Sequence, residues 1–265
     1  WTPTPTATPS PTPTATPTVT PSPVPTPTPA SPTPLQAVVL EHGLGRYLAL
    51  DRPLAENEVA SVAIQVHEGE PIPDLTGYDA VILSGGEQSP EEFEENEFFL
   101  AEGERVLAAM EAGVPIFGVC LGHQLLVLWL GGKVERGKWE IGWLELTLAP
   151  EGLQDPLFHG IGPRFYVFLW HVDQITQLPE GAVNLASSDL CPVQAFRVGQ
   201  MPVWGMQFNP QFDPALAEGV LLASDWIYKV GVDAQEMAAR GYQVYDGSHE
   251  KIFRNFFKWV REHRR

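Results

Sequence analysis

Apolar and polar positions divide this chain into two unlike parts. Residues 1–34 are almost wholly Pro and Thr with some Ser, Ala and Val, whereas from Leu35 onward short apolar runs alternate with stretches of helical periodicity. Ala37–Leu40 reads as a first strand, β-branched Val59–Val66 as a second, and Ala80–Leu83 as a third, ended by Ser84-Gly85-Gly86. Apolar residues recur at helical spacing over Phe93–Ala112, and Gly113 and Pro115 stop that helix. Pro115–Val119 is a strand of the fully buried kind, running directly into Cys120 and a helix over Leu121–Leu130, stopped by Gly131-Gly132. From Gly142 to Phe208 the pattern turns to short strands, predicted at Leu144–Leu148, Phe165–Trp170, Val183–Ala186, Val193–Arg197 and Val203–Phe208. Helices return at Pro214–Val230, Ala234–Arg240 and His249–Arg265.

Strands separated by helices imply an α/β fold: a mostly parallel central sheet with helices on both faces, plus a smaller antiparallel strand section. No internal repeat is visible after residue 34. The first 34 residues carry no charge and, after Trp1, no large apolar side chain. Such a segment cannot bury enough surface to offset its ordering entropy. Residues 1–34 therefore read as a disordered, extended Pro/Thr-rich linker and 35–265 as one domain. A Pro/Thr tract of this kind fits a stalk between exported modules. A first residue of Trp rather than Met leaves open what lies upstream.

The formal charge of −17 falls entirely on the second part. A domain so acidic repels phosphate backbones, which argues against a nucleic-acid partner. The acidic run Glu91–Glu97 reads as a solvated helix start. Ile116–Leu130 is too short for a membrane span and contains His123 and Gln124, so no membrane insertion is expected. Two cysteines, Cys120 and Cys191, make no disulfide framework, and neither spacing nor neighbours suggest zinc. No metal or cofactor is expected.

Gly118-Val119-Cys120-Leu121-Gly122 carries the sharpest chemical signal. A nucleophile between strand and helix sits on a strained turn, and a Cβ at either flanking glycine would clash there. The helix N-terminus should favour thiolate over thiol, and the Leu121 N–H points where an oxyanion would form. Gly85 and Gly86 follow a strand whose C-terminal loop borders the ligand crevice of a parallel sheet, where their N–H groups could complete an oxyanion hole. Alternatively, Cys120 is a buried structural residue beside two turn glycines.

With its neighbours this stretch resembles a known family. Gly118 to Gln124 is similar to the nucleophile elbow of class I glutamine amidotransferases, and Ile82-Leu83-Ser84-Gly85-Gly86 to their oxyanion strand. Glu140-Ile141-Gly142-Trp143, Trp170-His171-Val172-Asp173 and Leu185 to Arg197 resemble the branch related to the glutaminase domain of GMP synthase. The resemblance implies a flavodoxin-like fold and a Cys–His–Glu triad that hydrolyses the glutamine side-chain amide. It also implies a cytoplasmic location, glutamine or a γ-glutamyl small molecule as ligand, and a synthase partner that accepts ammonia. By the same resemblance His171 and Asp173 belong to the substrate-binding set. Gln124, one helical turn past Cys120, joins that set or is structural.

The triad itself departs from the pattern. Where the family reads Trp-Gly-x-Gln-Phe-His-Pro-Glu, this chain reads Trp204-Gly205-Met206-Gln207-Phe208-Asn209-Pro210-Gln211. Asn209 replaces the His and Gln211 replaces its orienting Glu. Neither amide can shuttle the protons that thioester formation and hydrolysis require. Both swaps are near-isosteric, so the fold and pocket should survive while turnover is impaired. Two alternatives stand beside this: an active Cys hydrolase on a γ-glutamyl substrate with another base such as His171, and a non-catalytic interaction module on an extracellular stalk. His171 otherwise reads as a pocket-wall or satisfied loop histidine, His123 as packed or hydrogen-bonded, and Cys191 as buried and inert. His42, His67 and His159 read as turn residues without signal.

Overall fold

The computed structural model describes residues 33–43, 49–88 and 97–264. The expectations for the Pro/Thr tract up to residue 32, and for the acidic run and helix start over 91–96, fall outside these residues. In chain order the strands are β1 Leu35–His42, β2 Val59–Gln65, β3 Ala80–Gly86, β4 Ile116–Val119, β5 Lys133–Leu148, β6 Arg164–Gln177, β7 Ala182–Ser187, β8 Ala195–Val198 and β9 Val203–Met206. The helices are α1 Asp51–Glu56, α2 Glu97–Glu111, α3 Leu121–Trp129, α4 Pro214–Ala223, α5 Ala234–Val244 and α6 Ser248–Glu262.

Among the described residues these strands form one sheet in the order β2-β1-β3-β4-β9-β8-β7-β5-β6. The first five run parallel, in a flavodoxin-like order, and the remaining pairings are antiparallel. The apolar runs are continuous because both faces are covered. Leu35, Ala37 and Val39 of β1 and Phe117 and Val119 of β4 join a core with α6. Val38, Leu40 and Ile116, one residue out of step, join a core with α2 and α3 instead. Helix α6 turns Ile252, Phe253, Phe256, Phe257 and Val260 inward, one stripe at helical spacing, and Phe117 packs 5.3 Å from Phe253 and 5.1 Å from Phe256 between ring centroids. Burying each such ring contributes about 1.5–3 kcal/mol. A third apolar cluster seats α4 and α5 on β5 and β6 through Trp143, Phe168, Phe212 and Leu221. No helix of the described residues is long and apolar enough to cross a membrane.

Several predicted element bounds need correction. The predicted short strands Leu144–Leu148 and Phe165–Trp170 are the ends of two long antiparallel strands, β5 and β6. The first half of β5, Lys133–Lys138, is mostly exposed and charged, so it gave no apolar run; a register shift between Arg136 and Glu140 further breaks the alternation. The helix predicted over Pro214–Val230 ends at Ala223. Ser224 turns extended there, and a separate 3-10 turn covers Ile227–Val230. The strand predicted at Val193–Arg197 begins at Ala195, and α1 lacked an apolar stripe long enough to predict.

Candidate active site

The elbow rests on a close packing of strand against helix. Cys120 has φ 49° and ψ −104°, a left-handed backbone that costs about 1–3 kcal/mol in a non-glycine residue. The surrounding structure holds it there: Cys120 N donates to Met206 O of β9 at 2.7 Å, and Gln124 N donates to Cys120 O at 3.1 Å. Both flanking glycines are sterically required. A Cβ on Gly118 would lie 2.7 Å from Gly122 O, and one on Gly122 would lie 2.5 Å from Leu83 Cβ and 2.6 Å from Leu83 O. Those obstacles are backbone or the root of a side chain and cannot swing aside. Gly122→Ala is therefore expected to cost about 3 kcal/mol, the upper end of the overpacking range, read as a fall in the urea midpoint with unchanged slope.

Cys120 is buried, and its sulfur lies 3.9 Å from Trp170 O and 3.9 Å from Gln207 Nε2. Burial pushes its thiol up to about 12; the Leu121 N–H lowers it but does not compensate, and the Asp173 carboxylate raises it further. This corrects the expectation that the helix N-terminus would favour thiolate: desolvation outweighs it, and the groups touching the sulfur are a carbonyl and an amide rather than an imidazolium. Gln207 was not singled out in the sequence. It accepts from Gln124 Nε2 at 3.0 Å, and that same nitrogen donates to Asp173 O at 2.9 Å, so Gln124 ties β6 to the segment after β9.

The sulfur opens on a pocket of about 410 Å³, lined also by Gly86, Gln124, His171 and Asp173. Strands β3 and β4 end side by side, with Leu83 opposite Gly118, which brings Ser84-Gly85-Gly86 alongside the elbow. A Cβ on Gly86 would meet Leu121 Cδ2 at 2.7 Å and His42 Cβ at 2.8 Å. His171 is a buried pocket wall with both ring nitrogens engaged. Its Nδ1 is 3.1 Å from Asp173 O, which can only accept, so Nδ1 carries a proton; its Nε2 is 3.2 Å from Glu140 Oε2. Gln194 donates to Glu140 at 2.8 Å and also contacts His171 and Ser188. Cys191 completes a buried trio with Glu140 and His171, whose donor atoms lie within 4.8 Å of one another. Sequence spacing showed no such cluster because its members come from β5, β6 and a loop. The Gln194 amide bridges it with hydrogen bonds, and burial pushes the Cys191 thiol up to about 12.

Asn209 and Gln211 are buried side by side. Gln211 Nε2 donates weakly to Asn209 Oδ1 at 3.4 Å, while Asn209 Nδ2 and Gln211 Oε1 find no hydrogen-bond partner among the described residues. Asn209 N donates to Phe168 O at 2.9 Å, two residues along β6 from the Trp170 carbonyl near the sulfur. The expected positions are thus brought to the Cys120 end of the sheet. Neither side chain lines the pocket among its described residues.

His123 is packed as its sequence context suggests, whereas His42 is not what its context suggests. His123 is fully buried, its ring centroid 5.0 Å from that of Phe196 at a tilt of 47°, and burial lowers it to about 3, so it stays neutral packing. His42 is no turn residue. It ends β1, with Nε2 2.8 Å from Glu102 Oε1, Nδ1 3.0 Å from Ser84 O, and its backbone N donating to Ser84 Oγ at 2.9 Å. Burial alone would lower His42, but the Glu102 carboxylate and the hydrogen bonds to Glu102 and Ser84 hold it above its ordinary value. The pair braces the Gly85-Gly86 loop from behind, and sixty residues of separation hid it from sequence reading. A His raised in the folded state stabilises below the ordinary value of 6.5 and loses that contribution as pH rises through the folded value. Glu102→Ala is expected to cost about 1.5–3 kcal/mol at pH 6, where it removes a charge-assisted hydrogen bond and leaves burial to drive His42 neutral, and distinctly less at pH 9. Denaturation midpoints at the two pH values check this.

A flavodoxin-like sheet with a strained cysteine elbow beside a glycine loop is the layout of an amidotransferase-type scaffold. A family profile described as "Glutamine amidotransferase class-I" matches residues 38–227, and the chain belongs to that family. Among curated relatives, it is 39% identical over 101 residues to a subunit of the glutamine-hydrolyzing GMP synthase of Methanosarcina acetivorans, covering 38% of this chain and 52% of that one. It is 31% identical over 172 residues to the protein of the same name from Archaeoglobus fulgidus, covering 65% and 81%. The chain spans about half the length of several of the curated relatives it matches. The fold is shared with a solved glutamine amidotransferase from Thermotoga maritima at TM-score 0.75 and 22% identity, over 85% of this chain and 97% of that one.

Proposed function

We propose that residues 35–265 form a glutamine amidotransferase-like domain, carried on a Pro/Thr-rich linker at 1–34, whose hydrolytic cycle is severely slowed. Cys120 is the nucleophile toward the γ-carbonyl of glutamine or a γ-glutamyl compound. The N–H groups of Gly85, Gly86 and Leu121 receive the oxyanion, and Gln124, His171 and Asp173 hold the ligand. Relatives named for a glutamine-hydrolyzing synthase support a synthase partner that takes up ammonia.

The impairment is supported chiefly by the Asn209–Gln211 amide pair, at positions where the family pattern reads His and Glu, and by the Trp170 carbonyl and the Gln207 amide as the groups near the sulfur. Attack on the γ-carbonyl needs a proton carried from the thiol to the departing nitrogen, and deacylation needs a base for water. His171 does not fill this role readily, because both its ring nitrogens are already engaged by Asp173 and Glu140. A glutaminase assay on the full chain tests the reading. Turnover should fall at least about 10⁴-fold below the ~10 s⁻¹ of an ordinary enzyme; a rate within about tenfold of that median defeats the proposal.

A further inference from the structure

We propose that the outer wall of the Cys120 pocket is a tryptophan clamp for a flat ring borne on the amide nitrogen of a γ-glutamyl compound. This deepens the γ-glutamyl reading given above and rests on it. Three indoles line the same pocket as the sulfur: Trp139, Trp170 and Trp226. They form a connected set, with Trp139 and Trp226 centroids 4.9 Å apart at 55° and Trp170 and Trp226 6.0 Å apart, edge to face at 81°. All three are only partly buried, so the protein leaves indole surface facing the pocket.

Each indole comes from a feature that departs from regular structure. Trp139 lies in the register shift between Arg136 and Glu140 of β5, and Trp226 sits in the break between α4 and the following 3-10 turn. Trp170 is held on β6, with its own carbonyl 3.9 Å from the sulfur, so the ring wall begins at the reacting atom. The primary amide of glutamine ends in a small polar NH2 group, which gains little from apolar ring surface and wants hydrogen-bond acceptors instead. A ring on that nitrogen gains burial and edge or offset stacking against the indoles.

Charge distinguishes a flat ring from an ammonium. Glu87 and Asp173 line the pocket, but so does Arg136, which stands opposite Asp173 in the β5–β6 register. A guanidinium opposes a second cation and stacks on a flat ring. The ligand class is therefore a γ-glutamyl arylamide rather than a γ-glutamyl polyamine.

Calorimetric titration of the full chain tests this with L-glutamine, γ-L-glutamylethylamide, γ-L-glutamyl-p-nitroanilide and γ-L-glutamylputrescine. The anilide should bind about tenfold more tightly than the ethylamide. Trp226→Leu, which keeps apolar bulk without the ring, should bring that ratio close to one, and Trp226→Phe should retain most of it. Should Trp226→Leu fail to fold, Trp139→Leu gives the same reading. An anilide-to-ethylamide ratio near one in the unsubstituted chain overturns the clamp while glutamine binding leaves the γ-glutamyl reading standing. A ratio unchanged by the leucine variants, or tightest binding by the putrescine compound, also overturns it. Failure of all four compounds to bind overturns both readings.

Discussion

Replacing Asn209 by His and Gln211 by Glu together is expected to raise glutamine hydrolysis at least about 10³-fold, part of the 10⁴–10⁶ that loss of a triad member costs. The two amides already occupy adjacent, buried, nearly isosteric sites. Their one mutual hydrogen bond is long, at 3.4 Å, and among the described residues each leaves an atom without a partner, Asn209 Nδ2 and Gln211 Oε1. A carboxylate at 211 reverses the direction of that bond, accepting from an imidazole N–H at 209 and leaving the second ring nitrogen for the proton of the thiol. Arg52 approaches the Gln211 carbonyl at 3.5 Å but is already paired with Asp213. Gln211→Glu alone buries a carboxylate with no imidazole to meet it, so that single variant should lose stability that the double variant regains, with a coupling of about 1–3 kcal/mol. Ammonia release gives the rate, and denaturant melts give the cycle. Restored stability without restored turnover would mean that the pocket has drifted beyond the proton pair.

The parallel half of the fold was legible because its chemistry is local. Apolar runs at Ala37–Leu40, Ala80–Leu83 and Pro115–Val119 are buried on both faces, and Gly118 and Gly122 at two residues from Cys120 report a close backbone approach that only glycine permits. The Asn209–Gln211 pair was legible only against a family pattern, since an amide at a strand end means nothing by itself. What escaped was non-local or masked by charge. The exposed first half of β5 offered no apolar run to read because Lys133, Glu135 and Lys138 face solvent. The buried His42–Glu102 pair and the Glu140–His171–Gln194 cluster join residues from separate elements, and no spacing rule finds them. The sign of the Cys120 shift escaped for a related reason. Position at a helix start argues for thiolate, but the burial that reverses it is set by β6 and by Gln207, far along the chain.

Alkylation of Cys120 is expected to be very slow near neutrality and to rise about tenfold per pH unit between pH 7 and 10 without a plateau. A thiol held at about 12 is thiolate to roughly one part in 10⁵ at pH 7, and only the thiolate reacts. Access is not the obstacle, because the sulfur lines the pocket, whereas Cys191 is fully buried and is separated from it by following each modified peptide by mass. Desolvation disfavours the charged form, and the neighbouring Asp173 carboxylate adds to it. In the Asn209→His, Gln211→Glu variant an imidazolium can pair with the sulfur, so the profile should become sigmoidal with a midpoint below about pH 9. The same charge pair that supplies the missing proton carrier thus also supplies the missing nucleophile, and the alkylation profile separates these effects because it needs no leaving-group proton. A plateau near neutral pH in the unsubstituted chain would show that the helix start alone sustains the thiolate, and that the replaced pair limits only the later proton transfers.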